Sequence, residues 1–154
     1  MTHWTEITER DVAGLPDPDR DARFYDGVVA KRGLAWLVDL AIITGLTILA
    51  GIATLTVGFF LWPLFFVAIG ALYRVTTLAN GSSTWGMRLL GIELRGHDGE
   101  RFDIGQSILH VAGYYASMTF VLPVLVSIGA MLTTRRRQGL TDLVMGSAAI
   151  NRPG

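Results

Sequence analysis

The sequence predicts an all-α polytopic membrane protein, built of helical hairpins with a small cytoplasmic β-hairpin or three-stranded β-element. Three observations lead there. From Leu34 to Tyr73 the chain runs forty residues whose only charge is Asp39. From Ile104 to Thr134 it runs thirty-one more residues in which only His110 titrates near neutral pH. Arginine-rich segments separate and follow these runs, which is how loops flanking membrane helices are charged. A crossing takes about 20 apolar residues at about 1.5 Å of rise each. The first run therefore holds two crossings, and the second holds one or a broken pair.

Bulk properties agree. The chain of 154 residues is 51% apolar, with eighteen glycines and no cysteine, and its mean hydropathy is +0.43. Disulfides and thiol catalysis are excluded. Net charge is zero, but residues 1–30 carry seven acids against three arginines, while residues 31–154 carry ten bases against six acids. Because these bases flank the apolar runs, they are read as orienting the chain in a membrane, with no nucleic-acid partner.

Residues 1–30 form a polar, acid-rich tail. Two prolines in the stretch LPDPDRD, Leu15 to Asp21, oppose a continuous helix, and the tail lacks the plan of a signal peptide. Phe24 and Tyr25 are placed at the headgroup level. The membrane domain occupies residues 31–154. Its first helix is predicted over about 33–55, with Ala41, Gly45, Ile48 and Ile52 as a close-packing face. A tight uncharged turn follows at Thr56 to Gly58. The second helix runs over about 59–78, with Pro63 near its start, where a missing donor is cheap. Arg74, near its end, is placed either snorkelling to the headgroups or turned towards the start of the first helix.

Asn80-Gly81 is a turn. Thr84 to Leu90 is a short amphipathic piece with Trp85, Met87, Leu89 and Leu90 facing the interface. The β-element is placed at about 91–103, as a hairpin turning at Asp98-Gly99, with 147–151 as its third strand. The second apolar run is read as one span preceded by an interfacial helix, or as two helices, about 104–119 and 122–134, broken at Phe120 to Pro123. Charge favours two. Lys31, Arg32, Arg74, Arg88, Arg95 and Arg101 place the termini and middle loop in the cytoplasm, and two helices bring Arg135, Arg136 and Arg137 back to that side. The setting is a bacterial cytoplasmic membrane.

Three blocks carry a family likeness: FYDGVVAKRGLAWLVD at Phe24 to Asp39, NGSSTWGMRLLGIEL at Asn80 to Leu94, and RRRQGLTDLVMGSAAI at Arg135 to Ile150. Together they resemble the RDD family of small integral membrane proteins. The resemblance makes Arg32 the family arginine, Asp39 and Asp142 its two aspartates, and Gly81, Thr84, Gly86 and Arg88 its middle block. Two positions depart from the pattern: Met87 stands where a lysine is usual, and His110 where an arginine is frequent. The family implies a polytopic topology, with ion or proton-coupled transport or membrane-complex assembly as suggested roles.

An acid within a membrane run costs about 2.5–3.5 kcal/mol at mid-helix, less towards the boundary, so Asp39 needs a partner or hydration. Arg32 and Asp39 share a helix face but stand about 10 Å apart in rise, too far to bond. Arg74 is the expected partner of Asp39, and Asp142 that of Arg32. The main reading of function is a scaffold or assembly partner in a membrane complex. One alternative is an ion or proton-coupled transporter, in which Asp39, Arg32, Arg74 and His110 are the candidate coupling groups. A second is an interfacial protein binding anionic lipid through Arg135, Arg136, Arg137 and Trp85. No catalytic constellation, metal-ligand spacing or cofactor motif is present in the sequence. Expected partners are anionic lipids at the cytoplasmic face and either a second copy or other membrane proteins.

Overall fold

A computed structural model describes residues 14–54 and 60–153. The predicted turn at Thr56 to Gly58 and residues 1–13 of the tail lie outside the described residues. After a single 3-10 turn at Ala22–Phe24, helix α1 spans Val28–Ala53 and α2 spans Trp62–Ala79. The short α3, Trp85–Leu89, leads into strand β1, Ile92–Arg95. Helices α4, Ile104–Met118, and α5, Val121–Thr133, precede the short α6, Leu140–Met145, and strand β2, Ala148–Asn151.

Helix α1 begins five residues earlier than its sequence suggests because Gly27, with φ of 66°, turns the chain into it from the preceding 3-10 turn. At 26 residues it reaches about 39 Å. Its buried face is Ala35, Asp39, Ile43, Thr47 and Gly51, one residue in every four. The expected packing face is open instead: Ile48 and Ile52 are exposed, and a side chain at Gly45 would meet nothing within 4 Å. Helices α1 and α2 are each long and apolar enough to cross a bilayer. They pack together, and α2 also packs on α4.

Helices α4 and α5 have 15 and 13 residues, about 22 and 20 Å, so neither spans about 30 Å of hydrocarbon by itself. They bend by 117° at Thr119-Phe120. The bend brings the chain back: α6 packs on α4 and α5, and its Asp142 meets Arg32 near the start of α1. Arg135, which pairs with Asp19, therefore returns to the end of the molecule that holds the start of α1. That same end holds the main core, where Val28, Ala35, Leu78, Met87, Ile92, Leu94, Phe102, Val111 and Ala149 are buried together. Leu49, Ile52, Phe60, Leu64 and Leu125, by contrast, are bare, as lipid-facing surface should be.

The small β-element forms, with the expected C-terminal strand but without the hairpin return. β1 pairs antiparallel with β2, Ile92 opposite Asn151 and Arg95 opposite Ala148, in a two-stranded sheet. The turn at Asp98-Gly99 forms, yet no strand follows it over 96–103. Ser82 is the reason. Its carbonyl accepts from Leu94 N at 2.7 Å and its hydroxyl from Phe102 N at 2.7 Å, so the edge a returning strand would use is taken. Phe102 then turns into the core, 3% exposed.

Two interfacial placements are also corrected. Tyr25 is 4% exposed, packs with Leu15, Ala148 and Ile150, and donates its hydroxyl to Pro16 O at 2.8 Å, so the end of the tail docks on β2 rather than on headgroups. Met87 lies in the core because α3 lays that side against α1, while Trp85 and Leu89 remain exposed.

Candidate functional site

Asp39 sits eleven residues into α1, on its buried face, and is only 2% exposed. Protein groups supply the partnering that the sequence leads one to expect. Oδ1 accepts from the Tyr73 hydroxyl at 2.7 Å and from Gly86 N at 2.9 Å, and Oδ2 accepts from the Thr84 hydroxyl at 2.6 Å. Arg74 Nη1 stands 3.8 Å from Oδ2. Antiparallel packing of α2 on α1 supplies Tyr73 and Arg74. The start of α3 supplies the rest: Thr84 is its N-cap, and Gly86 N is one of the amides a first turn leaves unpaired. Gly86 must be glycine for this approach, since a Cβ there would lie 2.3 Å from Ala35 O and 2.8 Å from Asp39 Oδ1.

Arg74 turns inward rather than snorkelling. Its side chain is 12% exposed, its guanidinium lies 4.5 Å over the Tyr114 ring, and Nη2 is 3.5 Å from the Tyr114 hydroxyl. That hydroxyl also accepts from Trp36 Nε1 at 2.8 Å. Arg74 Nε is buried without a hydrogen-bond partner, so the cation is loosely held between a carboxylate and an aromatic face.

Asp142 is fully buried in α6. Arg32 Nη1 is 2.5 Å from its Oδ2, which also accepts from Gly139 N at 3.0 Å; on Oδ1 it meets His110 Nε2 at 3.0 Å and the Ser147 hydroxyl at 3.3 Å. Burial alone would raise the Asp142 pKa. The Arg32 guanidinium, His110 and the Gly139 amide outweigh it and hold the carboxyl well below the usual carboxylate range. A depressed folded value stabilises the fold at every pH above the unfolded value, and that contribution is lost only as pH falls through the folded value. Thermal melts in detergent should thus show the native chain more stable than Asp142→Asn above about pH 4, with the difference shrinking as the pH falls below that.

Residues of both carboxylate clusters line one half-open cavity of about 600 Å³, walled by α1, α4, α5 and α6, with Asp39 and Asp142 themselves buried behind its surface. Arg32, Asp39, Arg74, His110, Tyr114 and Asp142 line it together with apolar side chains such as Met118 and Ile128. The structure thus brings all of the candidate coupling residues to one chamber, with Asp142 added. Among the described residues no group of three or more metal-type ligands occurs.

A family model described as the RDD family matches residues 27–146. The chain belongs to the RDD family. No curated protein and no solved structure matches it. The arginine and two aspartates assigned to the RDD pattern thus fall into two clusters, Arg32 with Asp142 and Asp39 with α2 and α3. Within the RDD middle block, Thr84 and Gly86 bind Asp39, while Arg88 reaches back to Ser83 O and Thr77 O, both at 3.3 Å. Arg88 lies over Gly81, where a Cβ would meet its Nη2 at 2.5 Å.

The triplet expected at headgroups makes exposed contacts within the protein, and the Arg135 side chain is still 74% exposed. Arg135 pairs with Asp19 at 2.8 Å, Arg137 donates to Leu132 O at 2.8 Å, and Arg136 is half-buried. Trp85, 57% exposed, carries Arg88 on one face, with the guanidinium 4.9 Å from the ring centroid. Sequence reasoning missed Tyr73, Tyr114 and Glu93. Glu93 is 1% exposed in β1 and is met by Arg95, Arg101 and Arg152. Its only signal was an acid in a strand crowded with arginines.

Proposed function

We propose that this RDD-family protein is an ion- or proton-coupled transporter of a bacterial cytoplasmic membrane, exchanging a small cation for protons through the chamber, with Asp39 as the coupling carboxylate. One observation carries the reading: a carboxylate inside a membrane helix lines a 600 Å³ cavity and shares its nearest cation, Arg74, with Tyr114. A buried intramembrane acid is costly, and such residues mark ion pathways. When Arg74 lies against Asp39 the carboxylate is neutralised. When Arg74 moves fully onto Tyr114, Asp39 is released to take a cation or a proton instead. His110, bonded to Asp142 on the same wall, is the group that passes protons between the cavity and the water at that end.

The arginine-rich loops and both termini are assigned to the cytoplasm by the positive-inside rule. Four helices, two of them too short to span alone, leave little room for two alternating states, so the working unit is taken to be an oligomer. A second reading, assembly within a membrane complex, is favoured by the open side of α1, where Gly45 has free space for a close helix approach.

Flux of Na⁺, K⁺ and H⁺ in proteoliposomes tests the choice. Cation-driven proton movement is expected in the native chain and should fall to the level of empty liposomes in Asp39→Asn. Equal flux in the variant removes Asp39 from the role. Absence of flux in both, with a change in oligomer or partner recovery, transfers the case to assembly.

A further inference from the structure

The arginines around Glu93 are not used by the transport reading, and they do more than neutralise one acid. Arg95 pairs with Glu93 Oε1, while Arg152 Nε and Arg101 Nη2 stand 3.5 and 3.9 Å from Oε2. Arg152 Nη2 also donates to the Ser83 hydroxyl at 2.8 Å, and Arg88 Nε lies 3.4 Å from that same hydroxyl. Four arginines thus form a continuous patch around one buried carboxylate. Arg95 is consumed by Glu93 and by Gly99 O at 3.1 Å, but Arg101 and Arg152 keep side-chain exposures of 64% and 38%.

The depth of this patch is fixed by α3. Gly86 touches the carbonyl of Ala35, which lies seven residues, about 10 Å, into α1. At that level α1 exposes Leu34 and Leu37, and α3 exposes Trp85 and Leu89. Trp85 carries Arg88 on its face. The short helix therefore presents an exposed aromatic and a leucine beside the exposed leucines of α1, with Arg88 on the face of the tryptophan. A tryptophan with adjoining guanidinium groups is the pairing found where acyl chains give way to phosphates.

We propose that Arg88, Arg101 and Arg152, the first and last steadied by the buried Ser83 hydroxyl, bind the phosphate of an anionic phospholipid whose chains lie along Trp85 and Leu89. Arginine suits this role because its planar fork meets phosphate oxygens two at a time. The bound lipid would brace the β1–β2 sheet and α3 against the membrane surface, next to the groups that hold Asp39. The proposal is independent of whether the protein transports anything.

The full chain is reconstituted in vesicles of phosphatidylcholine and phosphatidylglycerol in which one lipid or the other carries dibrominated chains. Tryptophan quenching is read, with Trp85 isolated by difference from Trp85→Phe. The relative association constant of phosphatidylglycerol is expected to be several-fold above one, and to fall to about one in Arg101→Gln/Arg152→Gln. Should that double variant not fold, Arg101→Gln alone carries the same expectation at a smaller size, because its contact to Glu93 is long and exposed. No preference in the native chain overturns the proposal, as does a preference unchanged by the substitutions. An equal loss in Arg135→Gln/Arg137→Gln would show general surface charge rather than this site. Loss of the preference in excess inorganic phosphate would show a site for soluble anions, which also overturns the lipid assignment.

Discussion

Asp142→Ala is expected to lower the stability of the detergent-solubilised protein by about 3–5 kcal/mol, the cost of stranding a buried charge. The loss exceeds that of an ordinary buried hydrogen bond because four groups lose their acceptor together: Arg32, His110, the Gly139 amide and the Ser147 hydroxyl. Arg32 is only 17% exposed at its side chain, so water cannot replace the carboxylate in full. The two residues lie 110 positions apart, and their link fastens α6 and the strand after it to the start of α1. A cycle with Arg32→Met checks the cause. The double variant Arg32→Met/Asp142→Leu should be more stable than Asp142→Leu alone, since it removes the stranded cation as well. Strict additivity of the two losses would show that the pair is not coupled. Melts followed by circular dichroism and by size-exclusion recovery give both numbers.

Gly86→Val is the second large effect. The Cβ it adds would lie 2.3 Å from Ala35 O, a backbone atom inside a helix that cannot step aside. Helix α3 must lift away, and Asp39 then loses the Gly86 amide and is drawn off the Thr84 hydroxyl. Overpacking costs about 1–3 kcal/mol, and unmade bonds to a buried carboxylate add to it. A total of about 3 kcal/mol or more is expected, with Trp85 emission shifting as α3 moves. Gly81→Ala is the control. There the added Cβ meets only the far end of the Arg88 side chain, which swings away, so a loss of about 1 kcal/mol or less is expected. Equal losses at Gly81 and Gly86 would mean that close approach to α1 is not what Gly86 provides.

Charges inside apolar runs were the most legible part of this chain. An acid in forty uncharged residues has to be paired, and antiparallel helices bring Arg74 to the level of Asp39 without further information. Segment positions followed from the same runs: α4 and α5 begin and end within a residue of their predicted limits. The angle between them was not legible. Two short helices of about 20 Å read equally as one bent span or two, and only the docking of α6 on α1, set by Asp142, decides that the chain returns.

Contacts made by loops were the hardest to foresee. The hairpin reading relied on a local turn at Asp98-Gly99, which does form, but Ser82 reaches β1 from a different part of the chain and takes its edge. A helix of five residues such as α3 has too few turns to display a period, so nothing in its sequence separates Met87, which is buried, from Leu89, which is 72% exposed. The hydroxyls on Asp39 were hidden for a related reason. Tyr73 and Thr84 are polar residues at a helix end and in a turn, where water would satisfy them equally well, until α3 folds under α1. On α1 itself the small residues of the Ala41 and Gly45 side suggested packing, whereas the side that is packed is chosen by Asp39. A buried carboxylate with three hydrogen bonds directs a helix face more strongly than a stripe of small side chains.

The central claim is that Asp39 couples cation movement to proton movement. Proteoliposomes with an imposed Na⁺, K⁺ or Li⁺ gradient and a pH-sensitive dye inside test it directly. Saturable, cation-driven proton movement is predicted for the native protein with at least one of these cations, and none for a folded Asp39→Asn. Movement that persists undiminished in the variant, or its absence in the native chain with every cation, would contradict the account.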